Sequence, residues 1–276
     1  MSGRFFEGES GALFGFFQPA TGGAEDSNPI LICPPVGHEY FRTHWCLRRT
    51  ATVLSRKSNS VFRFDYRGSG DSAGKPGSVQ TIEDWMFDAY LAAEELADLC
   101  GVKKVDVIGL RTGGIPAAAL AGTGRVRRLI LWEPQIDAGT FVHQWRRMHR
   151  TMLDLWVTRI QTPDNGETEE LLGTQYARGL IEELESFQFG RRDQLACQRA
   201  VVVSSEATDA WEGRGYETVS VSEAGDWSDL SRIEMAWLPT EASLEIVKLF
   251  TSDTVSGPKS NSKQQSEKGV PQQRPD

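Results

Sequence analysis

One stretch of sequence decides the fold: Val105-Asp106-Val107-Ile108-Gly109-Leu110-Arg111-Thr112-Gly113-Gly114. The apolar residues before the first glycine have the length and composition of a buried strand, and the residues after the last have those of a helix. Glycines flank Arg111 because a sharp turn there requires the strand and the helix to approach closely. The stretch therefore predicts a strand over Lys104–Ile108, a strained turn at Arg111 and a helix over 112–123.

Short strands and helices alternate on both sides of this turn. The other predicted strands are Pro29–Cys33, Val61–Asp65, Val126–Trp132, Ala200–Ser204 and Glu217–Val221. The other predicted helices are 43–56, 81–100, 207–213 and 229–250. An aromatic-rich segment, Arg4–Gln18, predicts an N-terminal β-hairpin. Such alternation is typical of right-handed βαβ units around a mostly parallel sheet.

The alternation is interrupted between Glu133 and Gln198, where helical patterns over 139–160 and 167–186 have no strand between them. We expect residues 133–198 to form a helical lid that is inserted after the sixth strand and covers the carboxyl edge of the sheet. The core is then expected at 1–132 and 199–250. Residues 251–276 contain almost no apolar side chains and are predicted to be a disordered tail.

The composition is that of one globular domain of 276 residues with a net charge of −8. Because an acidic surface repels phosphate, nucleic acid is not an expected partner. No apolar run reaches the roughly 20 residues that span a bilayer, and a signal peptide is not expected. The cysteines suit reduced thiols in a cytoplasmic protein. No pattern has zinc, Walker A or dinucleotide spacing, so neither a metal nor a cofactor is predicted.

The spacing around Arg111 is that of the nucleophile elbow of the α/β-hydrolase fold. In that fold the central residue is a nucleophile, and a histidine follows the last strand. A guanidinium has no lone pair with which to attack a carbonyl carbon. The histidines all precede the last predicted strand: His38, His44, His143 and His149. We therefore expect an α/β-hydrolase fold without a Ser/Asp/His triad.

Five motifs occur in order between residues 28 and 250. They are Cys33–Tyr40, Phe64–Ser72, the Gly109–Gly113 elbow, Leu131–Pro134 and Gly225–Trp227. This set resembles the exosortase-A-system-associated hydrolases, a branch of the serine-aminopeptidase-like α/β-hydrolases. The resemblance implies that an elbow arginine is a trait of the branch. It also implies a role in bacterial exopolysaccharide and protein-sorting systems. Members of the branch are called hydrolases because of their fold and not because of a demonstrated reaction.

Arg111 has two interpretations. With the helix N-terminus at Thr112 it could bind a phosphate, a carboxylate or a sugar nucleotide. Alternatively it pairs internally with Glu133 or Asp226, each expected at the same edge of the sheet, because the helix dipole disfavours an uncompensated cation there. The two could coexist. The expected ligand-binding residues are Arg111, Thr112, Gly37, His38, Glu133, Asp226 and Trp227.

A catalytic alternative needs other residues. Cys33 or Thr112 would attack an ester, amide or thioester with His38 or a histidine of the lid as the base, which gives a hydrolase or acyltransferase. The simpler interpretation of Cys33 is a buried core thiol. The simpler interpretation of His38 is a loop histidine without a catalytic role, in the region that donates an oxyanion-hole amide. The basic run His143–Arg150 of the lid could face an acidic ligand, contact a protein partner or be a solvated helix face. We therefore favour an accessory protein that binds a small anion, with an enzyme and a scaffold as alternatives.

Overall fold

The structure is a computed structural model that describes residues 2–21, 29–155 and 166–251. Over these ranges the strands are β1 (Ser2–Phe6), β2 (Leu13–Gln18), β3 (Ile30–Cys33), β4 (Val61–Asp65), β5 (Val105–Leu110), β6 (Val126–Trp132), β7 (Thr168–Leu171), β8 (Thr174–Ala177), β9 (Arg199–Ser204) and β10 (Glu217–Ser220). The helices are α1 (His38–Arg56), α2 (Ile82–Cys100), α3 (Gly114–Gly122), α4 (Gly139–Leu155), α5 (Arg178–Ser186), α6 (Asp209–Glu212) and α7 (Thr240–Thr251).

The main sheet has eight strands in the order β1-β2-β4-β3-β5-β6-β9-β10. The N-terminal hairpin β1–β2 joins β4 in antiparallel pairing, and the remaining pairs are parallel. The predicted α/β-hydrolase sheet with its N-terminal hairpin is therefore confirmed. Because the parallel strands all run the same way, the carboxyl ends of β3, β5, β6 and β9 meet at one edge, where ligand sites of such sheets lie.

Helix boundaries follow the local signals where these are strong. The hydroxyl of Thr81 caps α2 by accepting from the Asp84 amide, and Gly101 ends the helix in the left-handed conformation, as the sequence indicates. α1 begins at His38, earlier than the predicted 43, because Gly37, with a φ of 63°, turns the chain directly into the helix. The last helix, predicted over 229–250, begins only at Thr240, and a 3₁₀ turn occupies Leu230–Arg232.

The inserted segment, residues 133–198, is not wholly helical. The helix predicted over 167–186 is wrong in its first half, where β7 and β8 form an antiparallel hairpin. Its turn has positive φ at both central residues, 53° at Leu172 and 79° at Gly173, as in a type I′ turn. Residues 156–160 of the other predicted helix, and 252–276 of the predicted tail, lie outside the described residues. The division into core and lid remains a prediction.

Two apolar layers enclose the sheet. One layer joins it to α2, α3 and the inserted segment, and the other joins it to α1 and α7. Of the helices described, none is both long and apolar enough to cross a bilayer.

Candidate functional site at the strained turn

The backbone at Arg111 forms the strained turn from strand to helix that the sequence predicts. Its φ is 52°, an uncommon conformation for a residue with a side chain. A Cβ at Gly109 would lie 2.6 Å from the Gly113 carbonyl oxygen, and a Cβ at Gly113 would lie 2.3 Å from the Cys33 oxygen. The glycines are therefore required by the close approach of β5, the turn and β3, whichever residue occupies the elbow.

The Arg111 side chain is only 1% exposed and forms a bidentate ion pair with Glu39. Its Nε donates to Glu39 Oε2 at 3.2 Å, and its Nη2 donates to Oε1 at 2.7 Å. Nη2 also donates to Gln144 Oε1 at 3.2 Å. An internal partner is one of the two interpretations of the sequence, but the residue differs: it is a fully buried carboxylate at the start of α1, and neither Glu133 nor Asp226.

Aromatic rings enclose this ion pair. The Arg111 guanidinium carbon lies 4.7 Å from the ring centroid of Phe141 and 4.5 Å from that of Trp227, within the range of cation–π attraction. Trp145 Nε1 approaches Glu39 Oε1 at 3.4 Å. Burial opposes ionisation of Glu39, but the charge and hydrogen bonds of Arg111 hold the pKa of the Glu39 carboxyl below its ordinary value.

The two acids expected to pair with Arg111 have other partners. Glu133, with a φ of 48°, is buried and accepts from the Ser205 amide at 2.8 Å and the Ser205 hydroxyl at 3.1 Å. Burial raises the pKa of the Glu133 carboxyl, and the Ser205 bonds and the Arg111 charge oppose that rise. Asp226 is exposed and pairs with Arg232 at 3.0 Å. The sequence thus predicts correctly that both acids lie at the carboxyl edge of the sheet. It predicts the wrong ion-pair partner for Arg111.

The loop after β3 is the second half of the site. In hydrolases of this fold, an amide of this loop and the amide after the elbow residue stabilise the oxyanion. Here the Val36 amide donates to the Thr112 hydroxyl at 3.2 Å. A Cβ at Gly37 would lie 1.9 Å from Tyr176 Oη, so the inserted segment closes tightly over this loop. One amide of the expected oxyanion position is therefore already engaged.

The nucleophile and the base that the catalytic alternative requires are not paired with each other in the described residues. Cys33 is fully buried, and burial raises the pKa of its thiol to about 12, against a smaller effect of Tyr66. His38 belongs to α1 rather than to the loop and packs edge-on against Trp145. Burial lowers the pKa of His38 to about 4, so its imidazole is neutral at pH 7. Among the described residues, no hydrogen bond joins a histidine to Cys33 or Thr112.

Some residues of the basic run in α4 form contacts that hold the inserted segment together. Arg146 forms two hydrogen bonds to Glu169 of β7 and an ion pair with Glu185 of α5. His149 Nδ1 accepts from the Leu172 amide at 3.1 Å. These contacts hold α4 to the hairpin and to α5, while Arg147 and Arg150 are exposed.

A cavity of about 220 Å³ lies beside the Arg111 guanidinium. Its lining comes from α4, the end of β9 and the loop after β10. The lining residues are Arg111, Gln144, Ser205, Glu206, Ala224, Gly225, Asp226, Trp227 and Ser228. Of the expected ligand residues, the lining brings together Arg111, Asp226 and Trp227. It does not include Gly37, His38, Thr112 or Glu133.

Sequence reasoning missed Glu39, Gln144 and Ser205. Glu39 stands in the Cys33–Tyr40 motif. Because α1 begins at His38, Glu39 lies in its first turn, beside the elbow. A correct prediction of that helix start would have identified Glu39. The described residues contain no group of three His, Cys, Asp or Glu side chains that could hold a metal ion.

The sheet order and the strained turn define an α/β-hydrolase-fold protein. The sequence profile described as Hydrolase_4, serine aminopeptidase, S33, matches residues 36–194, more than half of the chain. The chain belongs to this family. No curated protein matches it significantly.

Solved structures share the fold at low identity. Est1E from Butyrivibrio proteoclasticus, solved with ferulic acid, is 15% identical with a TM-score of 0.61 over 91% of this chain and 97% of its own. An enol-lactonase from Burkholderia xenovorans LB400 is 18% identical with a TM-score of 0.58 over 90% and 100%. Protein PA2218 from Pseudomonas aeruginosa is 14% identical with a TM-score of 0.61 over 91% and 92%. At these identities the likeness shows the fold alone.

Proposed function

We propose that this protein is a pseudo-hydrolase that binds a small anion, such as a carboxylate or a phosphate, in the cavity beside Arg111. One observation carries the proposal. Glu39 and Gln144 fix two nitrogens of the elbow guanidinium, whereas Nη1 has no hydrogen-bond acceptor among the described residues. A guanidinium that is fixed in this way and lines a cavity is a prepared donor for an anionic group.

A second buried guanidinium lies at the wall of the cavity. Arg42 is also buried and donates to the Gly225 carbonyl oxygen at 2.9 Å, in the wall of the cavity. Its guanidinium carbon lies 5.2 Å from the Trp227 ring centroid. Two guanidiniums thus contact Trp227. The carboxylates near them are Glu39, which pairs with Arg111, and, in the lining itself, Asp226, which pairs with Arg232, and Glu206. Glu133, the other buried acid near Arg111, has a raised pKa and holds Ser205.

The same geometry argues against the usual hydrolysis. A guanidinium at the elbow cannot attack a carbonyl carbon. The loop after β10, where the fold carries its histidine, instead places Trp227 against Arg111. The Cys33 thiol is protonated at neutral pH, which removes the nucleophilic thiolate. These features support a binding role over the hydrolase or acyltransferase alternative.

Anion binding is tested by thermal unfolding and calorimetry with phosphate and acetate. The wild type is compared with Glu39→Leu/Arg111→Met, which removes both charges of the buried pair. The matched control is Arg125→Gln/Glu94→Gln, which removes an exposed pair that is 2.8 Å apart. At least one anion should raise the melting temperature of the wild type and the control but not of the buried-pair variant. The proposal is wrong if neither anion stabilises the wild type or if both variants respond equally.

The motif resemblance supports a cytoplasmic accessory role in a bacterial exopolysaccharide or exosortase-type system. The inserted segment, with exposed Arg147 and Arg150, offers a surface for a protein partner. Deletion of the gene in its bacterium should reduce exopolysaccharide or sorted surface protein, and the wild-type gene should restore it. Unchanged amounts of both products after deletion would refute this part of the proposal.

A further inference from the structure

Carboxylates share the lining of the cavity with the Arg111 guanidinium. Glu206, which follows β9, and Asp226, in the loop after β10, both belong to that lining. The Asp226 carboxylate pairs with Arg232 at 3.0 Å. Glu206 is exposed and has a neutral partner: the Gln135 side-chain amide donates to its Oε2 at 2.9 Å. Its Oε1 has no hydrogen-bond donor among the described residues, so the cavity offers a free carboxylate oxygen as well as a free guanidinium nitrogen.

The hydrogen-bond donors of the cavity are fixed by their other bonds. Gln144 Oε1 accepts from Arg111 Nη2 at 3.2 Å. The amide nitrogen of Gln144, like Arg111 Nη1, has no acceptor within the described ranges. Neither group can turn away without losing the bonds that join Arg111 to Glu39 and Gln144. Two donors that are held in this way can bind the two oxygens of one carboxylate.

The charges around the cavity are nearly balanced. Two ion pairs are neutral as units; they are Arg111–Glu39 and Asp226–Arg232. Two further charges are the buried Arg42, which donates to carbonyl oxygens of the wall, and Glu206 in the lining. The Glu133 carboxyl binds Ser205 and does not line the cavity. A ligand with one negative and one positive end would leave this balance unchanged, whereas a second anion beside Glu206 would be repelled.

We infer that the ligand of this cavity is an aminocarboxylate, a small molecule that carries both a carboxylate and an ammonium group. Its carboxylate binds Arg111 Nη1 and the Gln144 amide, and its ammonium binds Glu206 Oε1. A short methylene chain between them contacts Trp227 and Ala224, the apolar residues of the lining. Because one water takes up about 30 Å³ in the liquid, a cavity of about 220 Å³ has room for roughly seven non-hydrogen atoms. This inference rests on the anion site proposed above and narrows its ligand.

Ligands with only one of the two groups fit the lining less well. Inorganic phosphate carries no cation, so it would place a second anion near Glu206 without a counter-charge. An alkylamine would leave the free donors of Arg111 and Gln144 without an acceptor. The lining therefore favours a ligand that satisfies both ends at once.

Titration calorimetry with matched pairs of ligands tests this inference. In each pair a methyl group replaces the ammonium: glycine and propionate, β-alanine and butyrate, γ-aminobutyrate and valerate, δ-aminovalerate and caproate. The four pairs span a range of separations between the two ends. At least one aminocarboxylate should bind the wild type about fivefold more tightly than its partner, as one added ion pair predicts. Inorganic phosphate should bind more weakly than that aminocarboxylate.

Two variants show whether Glu206 causes the preference. Glu206→Gln should bind the simple carboxylates at least as tightly as the wild type, because a negative charge is removed. Its preference for the aminocarboxylate should fall below about twofold. The matched control is Glu217→Gln, which removes the same charge from an exposed residue at the start of β10, outside the lining. The control should keep the wild-type preference, which excludes the net charge of the chain as the cause.

The possible failures are distinguishable. If the simple carboxylates bind the wild type as tightly as the aminocarboxylates, or if Glu206→Gln keeps the preference, the aminocarboxylate is wrong and the anion site stands. If no carboxylate binds, the anion site is wrong and the aminocarboxylate with it. Alkylamines that bind as tightly as aminocarboxylates, and still bind Glu39→Leu/Arg111→Met, would indicate a cation site and contradict both. Circular dichroism of each variant excludes misfolding as the cause.

Discussion

Arg111 shows how one buried charge changes its surroundings. An isolated buried cation is costly, so the fold must supply an anion within hydrogen-bond distance. The sequence predicts that requirement correctly but not its solution, because the partner is set by where α1 begins. That start depends on the backbone of Gly37, which turns the chain into the helix before the apolar periodicity becomes visible.

Removal of one member of the ion pair should be more harmful than removal of both. Glu39→Leu leaves a buried guanidinium without its carboxylate, and we expect a loss of about 3–5 kcal/mol in the free energy of unfolding. Glu39→Leu/Arg111→Met should recover most of that loss, because apolar residues of similar volume replace both charges. Urea unfolding of the wild type and both variants measures this. Equal losses in the single and double variants would show that the pair is not coupled.

His38 gives the stability a specific pH dependence. Its pKa is lowered by burial to about 4 in the folded protein, from 6.5 as its ordinary value. The unfolded chain therefore takes up this proton first, and stability falls as the pH decreases from about 6.5 towards 4. Between pH 7 and pH 5 the wild type should lose roughly 2 kcal/mol more than His38→Leu, which cannot titrate. Urea unfolding at both pH values tests this, and parallel losses in the two proteins would contradict it.

At the scale of elements, the unpredicted hairpin β7–β8 closes the site. Tyr176 of β8 stacks on Trp145 of α4 with ring centroids 5.3 Å apart, and its hydroxyl lies over Gly37. The sequence shows helical spacing here but conceals the strands, because each is only four residues long and the turn places Leu172 at positive φ. Short strands whose pairing is set by tertiary contacts leave little periodicity to detect.

A comparison of alanine variants at two glycines separates the effect of the contact between Gly37 and Tyr176 from the effect of backbone strain. Gly37 and Gly124 both have positive φ, 63° and 78°, but a Cβ at Gly124 would meet nothing within 4 Å. Both alanine variants carry the backbone cost, and only Gly37→Ala also displaces Tyr176. We expect Gly37→Ala to lose at least about 1 kcal/mol more stability than Gly124→Ala and to speed amide exchange in β7 and β8. Equal stability and equal exchange in the two variants would refute closure by this contact.

At the scale of the whole molecule, the alternation of strands and helices was sufficient to predict the sheet and the position of the elbow. It was not sufficient for the site, because Glu39, Phe141, Gln144 and Trp227 come from α1, α4 and the loop after β10. Their meeting depends on how these elements pack against each other, which local patterns do not encode.

Placing a hydroxyl at the elbow should not produce hydrolysis. In Glu39→Leu/Arg111→Ser the elbow holds a serine, but the chain has no histidine after His149 to accept its proton. We expect no increase in p-nitrophenyl acetate hydrolysis over Glu39→Leu/Arg111→Met. An increase of about a hundredfold or more would mean that a base is present at the elbow after all.

The central claim is that the elbow of this fold holds an internal ion pair in place of a nucleophile. Intact-protein mass spectrometry after treatment with a fluorophosphonate tests it most directly, because the probe forms a stable adduct with an activated hydroxyl. The account predicts that the wild type keeps its unmodified mass under conditions that fully label a serine hydrolase of the same fold. One stoichiometric adduct, lost when a single serine or threonine is replaced, would contradict it.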